Sequence, residues 1–267
     1  MSAEDPIERE ASGLPTDAWL LQSSDRRVAA WLHARVCGLD GICSERNGED
    51  PAEGVHLLLT DRPHDIQVKL VFALADVLNQ SLAPEGSNDP VVVKRLLHLA
   101  STVGFLPPSL GTRCLVKVIE RHVADRPRWR ASLLRARSQL APRAPRALWE
   151  SFLTHADCRF EALRCARRWE PDVALAAFET LVRSGVEATN PVLRVQLARI
   201  QEDVQPLKLS KCLSRLSAHP ATAAVGRALL EMAFPVREIS DARAAFVKPQ
   251  EPVSVPSSAG QMPPIKA

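Results

Sequence analysis

The chain has 267 residues, of which 46% are hydrophobic and 24% charged, with a net charge of +3. That balance supports a buried core and excludes disorder over most of the length. The longest uncharged stretch, residues 96–112, contains Pro107 and Pro108 and so cannot span a bilayer, while only 11 glycines, no tyrosine and no period-two alternation argue against an all-β fold.

Residues 1–15 read as a disordered acidic N-terminus, whose first residues lack the apolar segment of a secretory signal peptide. Residues 16–60 read as N-terminal helices and a loop. Trp19 and Leu20, then Val28, Trp31, Leu32 and Val36, recur at helical spacing, with Ser24 or Asp25 as the N-cap. Gly38, Gly41, Asn47, Gly48, Asp50 and Pro51 make residues 38–52 a loop.

Residues 61–235 read as a helical-repeat array. A long helix from Asp65 to Asn79 places Ile66, Leu70, Ala73, Leu74 and Val77 on one face. Asp89 caps the next helix and Pro90 takes its first position. Val92, Leu96, Leu99 and Val103 form its stripe, and Gly104 takes the left-handed position after its end. Cys114, Val118 and Ile119 line a further helix, and Trp129, Leu133, Ala136 and Leu140 line one that begins at Pro127.

Pro145 opens a segment with Leu148, Phe152 and Leu153, and Asp157 caps another with Phe160, Leu163 and Ala166. Pro171, Pro191, Pro206 and Pro220 each fit the first helical position or its neighbour. Roughly eleven or twelve helices joined by short turns must lie antiparallel, and each pair needs a neighbour to cover its apolar face. The expected fold is therefore all-α, an α-solenoid-like array of antiparallel helix pairs. The pattern Val-Lys-x-Val/Leu-x-x-Leu-Ala at Val68 returns at Val93 and, more loosely, at Ser210, without a fixed period. Residues 236–267, rich in proline and serine, read as a mostly disordered tail.

No local motif carries catalysis. Phosphate-loop, G-x-S-x-G and H-E-x-x-H patterns are all missing, so an enzyme, a cofactor and a small-molecule substrate are not expected. The six cysteines include no C-x-x-C pair, which suits free thiols in a reducing, intracellular compartment. His155, Cys158 and Cys165 alone have metal-capable spacing. A fourth ligand is missing nearby, so buried thiols beside a surface histidine are expected rather than a metal site.

Charge is distributed unevenly. Residues 1–60 hold 11 acids and 5 bases, a balance of −6, whereas residues 113–170 hold 14 bases and 6 acids, a balance of +8. Within the basic stretch, Arg113, Lys117 and Arg121 recur every four residues along one helix. With Trp129, Leu133, Ala136 and Leu140 inward, Arg128 and Arg135 share a second face of the next helix and Arg130 and Arg137 a third. Arg143 and Arg146 occupy the following turn, and Arg164, Arg167 and Arg168 end a later helix. Guanidinium groups on adjacent helices would form a positive strip that neutralises phosphates and releases counterions. The nine residues from Arg113 to Arg146 are the candidate nucleic-acid contacts. Arginine also solvates ordinary helix faces, and Trp129, Trp149 and Trp169 fit core packing better than base stacking.

Leu96, Leu97, Leu99, Ala100, Gly104, Pro107 and Pro108, within residues 95–108, resemble the cadence of octotricopeptide and FAST-kinase-like helical repeats. Residues 209–216, followed by His219 and Pro220, are a shorter echo, and residues 174–186 resemble the second helix of a pentatricopeptide repeat. The resemblance implies an α-solenoid that binds RNA in mitochondria or plastids. The expected function is non-enzymatic RNA binding, with protein partners in a larger complex. The alternative is a protein-binding scaffold or adaptor.

Overall fold

The computed structural model describes residues 7, 13–38, 51–86, 89–140 and 143–235. The acidic residues before Gly13, Ile7 excepted, lie outside the described residues, as do nearly all of the 38–52 loop and the proline-rich tail. Thirteen α-helices and no β-strand occupy the described residues. In chain order they are α1 (Asp17–Gln22), α2 (Asp25–Cys37), α3 (Pro51–Asp61), α4 (His64–Leu82), α5 (Pro90–Thr102), α6 (Leu110–Asp125) and α7 (Arg130–Gln139). There follow α8 (Arg146–Trp149), α9 (Arg159–Ala166), α10 (Pro171–Arg183), α11 (Pro191–Asp203), α12 (Pro206–Ala218) and α13 (Ala223–Ala233).

Local chemistry sets many of these boundaries. The Ser24 hydroxyl accepts from the Arg27 N–H at 3.3 Å, and the Asp89 carboxylate from the Val91 N–H at 2.8 Å. The Asn190 side chain accepts from the Val192 N–H at 2.9 Å. Each relieves donors that have no partner inside the helix. Pro90, Pro171, Pro191 and Pro206 open their helices, where a missing N–H costs nothing.

The helices pack as six consecutive pairs in two layers. One layer holds the first helix of each pair, with α2 against α4, α4 against α6, and α10 against α12. The other holds the second helices, with α3, α5, α7 and α9 packed in succession and α11 against α13. Within pairs, α2 meets α3, α4 meets α5, α6 meets α7, α8 meets α9, α10 meets α11, and α12 meets α13. A single apolar core runs between the layers from Leu14 to Ala233. This is the expected array of antiparallel pairs. At the fourth pair the first helix shrinks to the four residues of α8 and a 3-10 turn, Glu150–Phe152, and α10 packs directly on α9.

Several boundaries differ from the sequence reading. Pro51 opens α3 instead of closing a loop, and Val55, Leu58 and Leu59 are buried at helical spacing. Cys158, not Asp157, precedes the first residue of α9, and Pro220 lies ahead of α13, whose cap position is Thr222. The similar stretches at Val68 and Val93 fall on α4 and α5, which belong to different layers. Lys69 donates to the Leu21 carbonyl at 2.9 Å and to the Ser23 carbonyl, whereas Lys94 is exposed.

Gly104 also departs from expectation. It is not left-handed but sits inside a 3-10 turn, Val103–Phe105, pressed against the end of α7. A Cβ there would lie 2.3 Å from the Gln139 carbonyl oxygen and 2.8 Å from its carbon. Both atoms are backbone, so α7 and the turn would have to separate. Gly104→Ala is expected to destabilise the protein by about 1–3 kcal/mol, read as a lower melting temperature; an unchanged melt would contradict this close approach.

Candidate nucleic-acid interface

Partner helices in a two-layer array expose opposite faces. A basic run that crosses one helix pair is therefore divided between the two sides of the molecule, and that is the fate of the stretch from Arg113 to Arg146.

Arg113, Lys117 and Arg121 lie exposed along α6, in the first layer. Their side chains make no hydrogen bond or ion pair among the described residues. The face opposite them on α6 buries Leu115, Ile119, His122 and Val123. His122 Nε2 donates to Asn79 Oδ1, 3.1 Å away. Burial, and then the charges of Arg126 and Arg121, hold its pKa below the usual histidine value.

Arg137 is corrected outright. It is 3% exposed, with Nε donating to Glu120 Oε1 at 2.8 Å and its two Nη groups to the carbonyls of Leu140 and Arg143 at 2.9 and 3.2 Å. It bolts α6 to the turn after α7 and is not available to phosphate. The same turn is held from outside, because Trp149 and Trp169 both donate their indole N–H to the Ala144 carbonyl, at 3.2 and 2.8 Å. Trp129 and Trp149 are buried and Trp169 is half-buried, so all three serve packing.

The remaining candidates separate further. Arg130 is half-buried over the Phe152 ring, 4.7 Å from its centroid, and donates to the Val123 carbonyl. Arg128 covers Trp129, and Arg143 and Arg146 both cover Trp169 within 6 Å. Arg135 points from α7 across the second layer and pairs with the buried Glu161 at 2.9 Å. The continuous ribbon expected from sequence is thus replaced by an α6 stripe, an aromatic-backed corner and one arginine on the far side.

The second layer supplies a surface that sequence order concealed. Between α5 and α7 lies a groove of about 440 Å³ lined by Lys94, His98, Ser101, Phe105, Ser132, Arg135 and Gln139. A second cavity of about 490 Å³ lies between α7, α9 and α11. Ser138, Gln139, Arg164, Arg167, Arg168, Arg199 and Asp203 line it. Gln139 borders both, so the two lie side by side across the alternate helices α5, α7, α9 and α11. Six cationic side chains line the two against a single lining carboxylate, Asp203.

Arg167 is already neutralised, with Nε and Nη2 donating to Asp203 Oδ2 at 3.1 and 2.6 Å. Lys94, Arg164, Arg168 and Arg199 have no carboxylate partner among the described residues. Phe105, 87% exposed, stands at the α5 end. Lys94, His98 and Arg199 were not candidates on sequence. Their signal was the exposed positions of alternate helices, readable only once the pairing is known.

Further along the array, several charges pair between helices. Lys208 bonds both Asp172 oxygens, at 2.7 and 2.9 Å, between α10 and α12. Burial alone would raise Glu179, but hydrogen bonds from Arg183 and Arg215 outweigh it and hold its carboxyl below the ordinary value. Cys158 and Cys165 are buried and His155 is exposed, as expected; burial pushes both thiols up to about 12. No cluster of three or more His, Cys, Asp or Glu among the described residues is placed to hold a metal ion. No helix among them is long and apolar enough to cross a membrane.

No protein-family model matches the chain, and neither a curated protein nor a solved structure is significantly similar to it.

Proposed function

We propose that the protein is a non-enzymatic RNA-binding helical-repeat protein whose second-layer groove holds a single strand. The observation that carries this reading is the pair of adjacent cavities from Phe105 to Arg199, in which cations outnumber carboxylates and most have no carboxylate partner among the described residues. Guanidinium and ammonium groups neutralise successive phosphates, and an exposed aromatic ring at one end offers a face on which a base stacks. The α6 stripe is a single row on one helix with no exposed aromatic residue. The cavity of about 510 Å³ beside it, between α2, α4 and α6, is lined by one cation, Arg26, against two carboxylates, Asp25 and Asp76, so the stripe serves as an electrostatic backdrop. The helical-repeat resemblance extends the proposal to organellar RNA, a placement checked by fractionating cells that express the tagged chain.

The test is equilibrium binding of the purified protein to a labelled single-stranded RNA across a salt series. The logarithm of the affinity is expected to fall linearly with the logarithm of salt concentration, with a slope of about 0.7 per phosphate engaged. No binding at low salt would end the proposal.

A protein-binding scaffold is the second reading. It is favoured by the large apolar residues around the α5–α6 turn, where Phe105 is joined by Leu110, 67% exposed. Purified protein that carries a stoichiometric protein and no nucleic-acid absorbance would select it.

A further inference from the structure

We infer that the cavity between α7, α9 and α11 grips a terminal phosphate monoester of the bound strand, so that the groove reads a strand end and fixes its direction. The inference rests on the RNA reading above and concerns only which part of the strand occupies this cavity. Arg164 and Arg168 rise from the C-terminal end of α9, and Arg199 faces them from α11. Arg167, tied to Asp203 and to the Arg199 carbonyl at 3.4 Å, fixes the spacing of the two helices. It leaves three further guanidinium groups on the wall of one small polar cavity whose single carboxylate, Asp203, is already held by Arg167.

The Nε of Arg164 is buried and has no hydrogen-bond partner. That atom is closed to a bound anion, so the donors an anion in the cavity would meet are the Nη groups of Arg164 and the guanidinium groups of Arg168 and Arg199. Ser138 and Gln139, at the end of α7, complete the lining.

The charge count separates two kinds of phosphate. A phosphodiester within a chain carries one negative charge and is matched by one arginine or lysine, as Lys94 would match it further along the groove. A terminal monoester carries about −1.5 to −2 at neutral pH and presents three acceptor oxygens. Three guanidinium forks suit that group, because each can donate two parallel hydrogen bonds. Gln139 borders both this cavity and the α5–α7 groove, so a strand seated by its end at α11 continues past α7 toward Phe105.

The experiment uses the full chain and an oligouridylate of about ten nucleotides carrying a 5′-phosphate, a 3′-phosphate or hydroxyls at both ends. One of the phosphorylated oligonucleotides is expected to bind at least about tenfold tighter than the hydroxyl form, and which one gives the direction of the strand. The gain should shrink below about pH 6, as the monoester takes up its second proton. In Arg168→Gln/Arg199→Gln, two exposed positions, the gain should vanish, so that the phosphorylated and hydroxyl forms bind alike, while the melting temperature holds. Equal affinities for all three oligonucleotides, or a gain that survives the double substitution, would overturn the clamp and leave RNA binding intact. Failure of the hydroxyl form and both phosphorylated forms to bind would overturn RNA binding and the clamp together.

Discussion

Arg137→Ala is expected to lower the melting temperature by roughly 6–12 °C, more than any exposed arginine in the basic stretch. The side chain is 3% exposed and its three donors hold Glu120, Leu140 and Arg143. Removing it leaves the Glu120 carboxylate, which is 25% exposed, without its partner and strips two turn carbonyls of their donor. Breaking a buried pair from one side costs about 3–5 kcal/mol, and the partial exposure of Glu120 places this case near about 3. For a chain of this size each kcal/mol shifts the midpoint by about 2–4 °C. Arg137→Lys keeps the charge but not the fork, and should recover less than half of the loss. Thermal melts followed by circular dichroism give the answer; a midpoint within about 2 °C of the parent would show that the corner does not depend on this residue.

Lys94→Ala/Arg168→Ala/Arg199→Ala is expected to weaken single-stranded RNA binding roughly 30- to 100-fold at low salt and to reduce the salt slope by about 2, near 0.7 for each phosphate no longer neutralised. All three side chains are exposed and lack a carboxylate partner among the described residues, so the fold should be unaffected. The matched control is Arg113→Ala/Lys117→Ala/Arg121→Ala, which removes the same charge from α6. Beyond a Debye length of about 8 Å those charges are largely screened, so affinity should stay within about threefold. Equal losses in the two variants would mean that net charge, and not the groove, governs binding.

The contrast between these arginines shows what the sequence can convey. Helix ends were legible because their causes are local: Ser24, Asp89 and Asn190 cap from within three residues, and each opening proline acts where it stands. The buried stripe of α4 was legible for the same reason, since Ile66, Leu70, Ala73, Leu74 and Val77 need only helical periodicity to share a face. Helix α3 was hidden by the breakers that precede it, and Gly104 by a neighbour 35 positions away in sequence, Gln139.

The candidate interface was less legible because exposure in an array is decided by pairing. Arg121 and Arg135 lie close in sequence, yet α6 and α7 occupy opposite layers, and Arg199 joins Arg164 only because α9 and α11 share one. Nothing at Arg137 distinguishes it from Arg135 in a helical wheel beyond its phase. Glu120, on the preceding helix, draws it inward. Charge counts along a chain locate a basic region; the packing of alternate helices decides which face receives it.

The most direct test of the second-layer groove is ultraviolet crosslinking of bound single-stranded RNA followed by mapping of the crosslinked peptides. The expected crosslinks fall at Phe105 and within α7, α9 and α11. Crosslinks confined to α6, or none from a protein that binds RNA, would contradict the groove.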